Sequence, residues 1–306
     1  FANRIIKQAT ASAISRCRFQ FKRTMNKGTI NRRIQRLSRA GQVERHDLLA
    51  QEEPLEIQLG YGKGTQRRRK SLAVTMRTPG DDFDLALGFL FTEGIITCAG
   101  DVLQMRYRTE QLDEAAQENI VLVDLHPDLD FDLAQLNRHF YASSSCGICG
   151  KASIDLVQTT CRFFLSDGTP SLDAKVVCSL PQRLNEQQTL FAQTGGIHAA
   201  ALFDVGGNLQ LLREDIGRHN ALDKLIGAAL KKNRIPLREA IILVSGRIGF
   251  ELVQKSLMAG TPVLAAVGAA SSLAVALAEE HGMTLIGFLS EERCNVYAGA
   301  ERFVNA

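Results

Sequence analysis

The sequence predicts an α/β protein: a core built on a parallel sheet in its second half, preceded by a smaller α+β part. Three observations lead there. From Ala240 onward, short apolar runs alternate with helix-period stretches, the order that parallel strands joined by crossover helices require. Between Leu55 and Met76, two strand-like runs flank a glycine-rich turn, the pattern of a hairpin. Across 306 residues, 45% hydrophobic content is enough to bury a sizeable core, and no window approaches the twenty or so uninterrupted apolar residues of a membrane span.

The folded part is expected to open at Glu53-Pro54, with strands over Leu55 to Leu59 and Leu72 to Met76 around Gly60-Tyr61-Gly62-Lys63-Gly64. Pro79-Gly80-Asp81-Asp82 stops the second strand and caps an amphipathic helix that buries Phe83, Leu87, Leu90 and Phe91 and ends near Gly94. Strands follow at Val102 to Tyr107 and Ile120 to Leu125, then a polar, helical stretch from Leu133. In the second half a hairpin joins Ile197 to Asp204 with Leu209 to Leu212, and a helix runs through Ala221, Leu222, Leu225, Ile226 and Ala229. The alternation then gives strands at Ala240 to Val244, Pro262 to Val267 and Thr284 to Leu289, with helices at Phe250 to Met258 and Ser272 to Glu280. The division expected is a basic extension over 1–45, an α+β subdomain over 46–141 and an α/β core over 142–306.

Charge is uneven along the chain. Residues 1–45 hold twelve Lys or Arg and Glu44 as their one acid, leaving 24 bases and 32 acids in the rest despite a net charge of +3. That segment is Arg-rich and acid-poor, as a transit peptide is, but has no apolar stretch of a secretory signal. It reads as a flexible extension, or as upstream sequence before Met25. A nucleic-acid-binding arm has no aromatic or motif support there. Seven cysteines, an odd number with one close pair, do not form a secreted disulfide framework and point to a reducing compartment, the cytoplasm.

That close pair lies in Ser143-Ser144-Ser145-Cys146-Gly147-Ile148-Cys149-Gly150, a loop of small residues ahead of an apolar stretch at Ala152 to Val157. A thiolate at a helix N-terminus is stabilised by unpaired N–H groups and the helix dipole, which makes it nucleophilic near neutral pH. Four readings stand: reactive thiols, a zinc half-site, a thioredoxin-like redox pair, and buried structural cysteines. Zinc would need two more ligands, yet Cys161, Cys178 and Cys294 stand alone in sequence; the redox pair lacks a preceding strand with an aromatic flank.

His198, in Thr194-Gly195-Gly196-Ile197-His198-Ala199-Ala200, invites comparison with zinc deaminases. They want a Glu two positions after the histidine, where Ala200 stands, and a histidine before the cysteines rather than after them. By default such a histidine is a satisfied core residue. In Arg213-Glu214-Asp215-Ile216-Gly217-Arg218-His219-Asn220, Asp215 can cap a helix, but Arg218 and His219 put positive charge where the helix dipole disfavours it. A buried charge network or an anion contact would account for them. The three parallel strands end in Ser245-Gly246-Arg247, in Gly268-Ala269-Ala270-Ser271-Ser272 and in Ser290-Glu291-Glu292-Arg293, where open α/β sheets bind phosphorylated ligands.

With these residues in hand, the chain resembles the formate dehydrogenase accessory sulfurtransferase (FdhD/NarQ) family. The likeness runs from about residue 46 to the end through Cys146-Gly-Ile-Cys149-Gly, Thr194-Gly-Gly-Ile-His-Ala-Ala, the stretch Glu214 to Lys224, Val244-Ser-Gly-Arg247, Glu251-Leu-Val-Gln-Lys255, Ala259-Gly-Thr-Pro262 and Gly287-Phe-Leu289. The resemblance implies a cytidine-deaminase-like core, a homodimer, and sulfur transfer from a cysteine desulfurase to the bis-(molybdopterin guanine dinucleotide) molybdenum cofactor of formate dehydrogenase. It implies a persulfide on Cys146 assisted by Cys149, and cofactor contacts from Phe288, Leu289, Ser290, Glu291, Glu292 and Arg293; guanine nucleotide is expected to occupy the same site. Ser245 and Arg247 join that list from the strand-end reading, and Arg218 and His219 from their place at the start of a helix. The family more often has a basic residue and a glycine where Ser290 and Glu291 stand, and an aromatic at Cys294. A non-catalytic cofactor-binding chaperone is the rival reading, and a zinc-dependent hydrolase a third.

Overall fold

The structure is a computed structural model that describes residues 28–108, 118–129, 163–165 and 168–304. Eighteen principal elements follow one another among these residues. A ribbon of β1 (Thr29–Ser38) and β2 (Gly41–Ala50) leads into β3 (Glu53–Tyr61), β4 (Arg68–Arg77), α1 (Asp82–Thr92), β5 (Val102–Tyr107) and β6 (Ile120–Leu125). Then come α2 (Ala174–Asn185), α3 (Thr189–Thr194), β7 (His198–Asp204), β8 (Leu209–Asp215) and α4 (Arg218–Lys231). The last third is β9 (Ala240–Val244), α5 (Phe250–Met258), β10 (Val263–Ala266), α6 (Ser272–Glu280), β11 (Thr284–Gly287) and β12 (Asn295–Ala298). No helix among the described residues is long and apolar enough to cross a membrane.

The large sheet has the order β12-β11-β10-β9-β7-β8. Its centre, β9-β10-β11, is parallel as the strand–helix alternation requires. The flanks are antiparallel: β7 pairs with β9 and β8, and β12 with β11, so the sheet is mixed rather than wholly parallel. Side-chain alternation sends Ala200, Leu202, Ile242, Val244, Leu264 and Ala266 to one face, against α4, α5 and α6. Ala199, Ala201, Phe203, Ile241, Leu243, Val263 and Ala265 go to the other, against Val177, Leu180 and Leu184 of α2. A sheet covered on both faces needs strands apolar at every position, which Ala240–Val244 supplies.

The smaller sheet, β4-β3-β6-β5, shares the first of these clusters through Leu55, Ile57, Leu59, Val121, Val123 and Leu125. Between the sheets lies α1, buried nearly all round. It crosses α4 backbone to backbone: a Cβ on Gly88 would land on the carbonyl of Asp223, and one on Gly227 on that of Asp84. Phe83 is only partly buried and lies on Tyr107, with ring centroids 4.8 Å apart. Asp81 leads into α1 in the left-handed conformation, φ 55°, without a side-chain cap bond.

From Thr29 the expected flexible extension gives way to an antiparallel ribbon; residues 1–27 lie outside the described ones. One face of the ribbon carries Asn31–His46, Arg33–Glu44 and Gln35–Gln42 pairs, cross-strand contacts between mostly exposed residues. The helix expected from Leu133 also lies outside the described residues.

In a free helix, Gly→Ala gains about 1 kcal/mol of propensity. At Gly227 the sign is expected to invert. Gly227→Ala should cost about 3 kcal/mol, because the new methyl meets the main chain of Asp84 rather than a side chain that can move. Urea denaturation monitored by far-UV circular dichroism measures this.

Candidate functional site

The carboxyl ends of β9, β10 and β11 are stitched into one surface by main-chain hydrogen bonds. Val267 N donates to Val244 O (3.2 Å), Gly268 N to Gly246 O (3.2 Å), Ile248 N to Ala269 O (2.9 Å) and Phe288 N to Gly268 O (3.0 Å). Glycine is needed where these loops touch: a Cβ on Gly268 would come within 2.8 Å of Gly246 O, and one on Gly287 within 3.1 Å of Gly268 O. Helices α5 and α6 begin just beyond, the latter capped by Ser271 Oγ, which accepts from Ala274 N at 3.3 Å.

Three guanidinium groups stand on or beside this surface. Arg218 opens α4, Arg247 follows β9, and Arg293 closes the turn after β11; all are exposed, and none of the three side chains has a hydrogen bond or ion pair among the described residues. Ser245 is not free in the same way. Its Oγ accepts from Ala199 N (2.9 Å) while its N donates to Ala199 O (3.0 Å), so it ties β7 to β9, with its hydroxyl proton and one lone pair left.

The loop Phe288 to Arg293 divides by role. Phe288 sits in the left-handed region at φ 49° with its ring half exposed, an arrangement a bulky side chain adopts only where the surroundings impose it. Leu289 points the other way, 1% exposed in the second apolar cluster, so it anchors the loop rather than facing a ligand. Ser290 N and Oγ both donate to Arg293 O (2.9 and 3.0 Å), and Arg293 N donates back to Ser290 Oγ (3.2 Å), leaving Glu291 and Glu292 exposed at the tip.

Beneath the loop, Cys178 of α2 and Cys294, distant in sequence, pack against the same apolar cluster, and burial pushes the Cys294 thiol up. A raised pKa keeps it protonated, a packing group rather than a nucleophile. Cys146, Cys149 and Cys161 lie outside the described residues.

The charged stretch that ends β8 and opens α4 is mostly structural. Glu214 caps α3, accepting from Leu190 N (3.0 Å) and Phe191 N (2.9 Å). Asp215 does not cap α4, whose cap position is Gly217. It is fully buried and accepts from Lys224 Nζ (2.7 Å), Thr78 N (3.2 Å), Gly217 N (2.9 Å) and Asn220 Nδ2 (3.2 Å). Lys224 also donates to Thr78 O at 2.8 Å. Asp223 accepts from Lys255 Nζ and Thr92 Oγ1, both at 2.9 Å, in a second buried network. Arg218 joins neither network, and His219 has a carboxylate partner of its own. His219 Nε2 lies 2.8 Å from Glu251 Oε2, and that hydrogen bond holds the Glu251 carboxyl below the usual range.

The sequence model of the FdhD/NarQ family matches residues 50–304. The chain belongs to the FdhD/NarQ family. Among similar proteins, the "sulfur carrier protein FdhD" of Nocardia farcinica is 48% identical over 274 residues, 90% of this chain and 94% of that one. That of Mycobacterium tuberculosis is 46% identical over 282 residues, 91% of this chain and 99% of its own. A crystal structure described as a putative formate dehydrogenase accessory protein from Desulfotalea psychrophila shares the fold. Its TM-score is 0.66 at 22% identity, covering 90% of this chain and 100% of that one.

Within this FdhD/NarQ chain, the signal that separates structure from site in the charged stretch is partner availability. Asp215, Asn220 and Lys224 face Met76 and Thr78, more than a hundred residues away in sequence, while Arg218 faces outward. Removing one member of a buried ion pair leaves the other uncompensated. Asp215→Ala and Lys224→Met should therefore each lose about 3 to 5 kcal/mol of stability. The double variant should lose clearly less than their sum, by chemical denaturation.

Proposed function

We propose that this chain is a cytoplasmic sulfur carrier, working as a homodimer. It takes persulfide sulfur from a cysteine desulfurase onto Cys146 and passes it to the bis-(molybdopterin guanine dinucleotide) molybdenum cofactor destined for formate dehydrogenase. The observation that carries the reading is that relatives 46–48% identical over nine-tenths of the chain are named sulfur carrier proteins, while this chain has the Cys146-Gly147-Ile148-Cys149 pair. The strand-end surface supports the cofactor half. Arg218, Arg247 and Arg293 offer positive charge to phosphates, and the exposed ring of Phe288 offers a face to a guanine base.

In loading, the Cys146 thiolate attacks the sulfane sulfur of the donor's Cys–S–SH. The donor sulfur leaves as thiolate, and Cys146–S–SH is formed. For release at the hydrosulfide level, the Cys149 thiolate attacks Cys146 Sγ, a Cys146–Cys149 disulfide forms and HS⁻ departs, with no further oxidant needed. Small neighbours at Ser143, Ser144, Ser145, Gly147 and Gly150 leave room for the donor's approach.

Incubation with a cysteine desulfurase and cysteine, followed by intact-mass and peptide analysis, tests the assignment. A reducible gain of about one sulfur atom is expected on Cys146, absent in Cys146→Ala, which should still bind GDP. Arg218→Ala with Arg247→Ala should do the reverse, keeping sulfur loading and weakening GDP by about tenfold or more. Undiminished sulfur transfer in Cys146→Ala would instead favour a cofactor-binding chaperone whose cysteines are structural.

A further inference from the structure

His198 was expected to be a satisfied core histidine; among the described residues it is neither fully buried nor satisfied. It is the first residue of β7, half-buried, and among the described residues neither ring nitrogen has a hydrogen-bond partner. Register fixes its place: Ala200 pairs with Val244 and Ala199 is bonded to Ser245, so His198 lies beside Gly246 at the carboxyl end of the parallel strands. A Cβ on Gly246 would sit 3.2 Å from His198 Nδ1 and 3.8 Å from Arg218 Cδ. The imidazole and the stem of Arg218 therefore flank the same glycine, on the loop that carries Arg247.

We propose that His198 is a further phosphate-binding residue of the strand-end site, donating a hydrogen bond to the nucleotide's phosphate and taking up a proton as the nucleotide binds. This rests on the reading of that surface as the nucleotide site. The charged and titratable groups around the ring account for the proton. Arg218 and His219 face it from the first turn of α4, and Asp215 from β8, opposite His198 in register. Arg247 lies on the adjoining loop, and Glu251 of α5 is engaged by His219.

In the free protein, burial first and Arg218 second hold the imidazole below the ordinary histidine range, with Asp215 opposing them, so near neutral pH it is uncharged. A phosphate placed against Arg218 cancels that cation's repulsion and adds its own attraction, which raises the imidazole's proton affinity. The sign follows from linkage. A group whose pKa is higher in the bound state makes binding tighter as pH falls through that pKa, and protons are taken up in between. The imidazolium then donates a charge-assisted bond to the phosphate.

The test is calorimetric titration of the full-length chain with GDP, in two buffers of unlike ionisation heat. The series runs from about pH 8 to about pH 6, with His198→Gln and His198→Asn as comparisons. The wild type is expected to take up more protons per GDP than either variant, and to bind about fivefold more tightly at the acid end relative to them. Ionisation of GDP's own terminal phosphate is common to all three and drops out of the comparison. A purely structural role for His198 would shift stability but not the proton count. GDP binding by the wild type with the same proton uptake and affinity as the variants overturns this inference alone. Should the variants fail to fold, ring-proton NMR of the wild type decides: if no histidine ring titrates at higher pH with GDP bound than without it, the inference is overturned. No GDP binding by the wild type overturns it together with the strand-end site.

Discussion

The contact on which the rest depends is the crossing of α1 and α4 at Gly88 and Gly227. Two backbones touch there with no side chain between them, Gly227 so close that its Cβ would lie 2.8 Å from Gly88 N. Such a contact admits one register, since sliding either helix by a residue brings a side chain onto a carbonyl. The helices belong to different sheets, so the crossing fixes one sheet against the other. It also forces ionic groups into the interior. Asp82 takes Arg77 and Tyr107, Asp84 takes Arg213 and Lys231, Asp223 takes Lys255, and Asp215 takes Lys224. Buried charges tolerate few arrangements, which makes these pairs better at specifying a geometry than at adding stability. Because Asp215 at the end of β8 and Asn220, Asp223 and Lys224 in the first two turns of α4 are all committed, the start of α4 is fixed too, and Arg218 and His219 with it.

Where burial writes a period into the sequence, the fold was legible. The strands Val102–Tyr107, Ile120–Leu125 and Ala240–Val244 and the helices Phe250–Met258 and Ser272–Glu280 lie where apolar spacing places them. The ribbon of β1 and β2 was not legible, because exposure on both faces removes the alternation that marks a strand, and the cross-strand pairs that hold it join residues up to fifteen positions apart. Helix α2 carries Val177, Leu180 and Leu184 at helical spacing, with Asp173 accepting from Lys175 N at its start. That signal was available, though Pro181 within the run obscures it. The antiparallel flanks of the large sheet depend on which edge a hairpin docks to, a choice made by tertiary packing.

The candidate site divides along the same line. That Arg218 and His219 were unexplained by helix capping was visible from local electrostatics; the structure leaves Arg218 exposed and pairs the partly buried His219 with Glu251. That Asp215 is a buried hub rather than a cap depends on Thr78, 137 residues away, and no local pattern reports it. Ser245 and Leu289 share stretches with exposed residues yet serve the scaffold, because alternation along a strand end turns neighbouring side chains to opposite sides.

The charge distribution gives the strand-end surface its character. From residue 46 onward, acids outnumber bases by 32 to 24, yet the carboxylates nearest the chain's interior are spent on buried cations, and Glu251 on His219. Arg218, Arg247 and Arg293 are left without carboxylate partners among the described residues. Cations left without carboxylate partners make this surface locally positive, although the body from residue 46 onward is mildly acidic. Glu291 and Glu292, lying at the exposed tip beside Arg293, disfavour a ligand that spreads phosphates across the turn. The arginines nearer the strand ends lie away from that repulsion. The sheet's main-chain bonds make the strand-end backbone rigid, and the arginines on and beside it are the side chains that the fold leaves unpaired among the described residues.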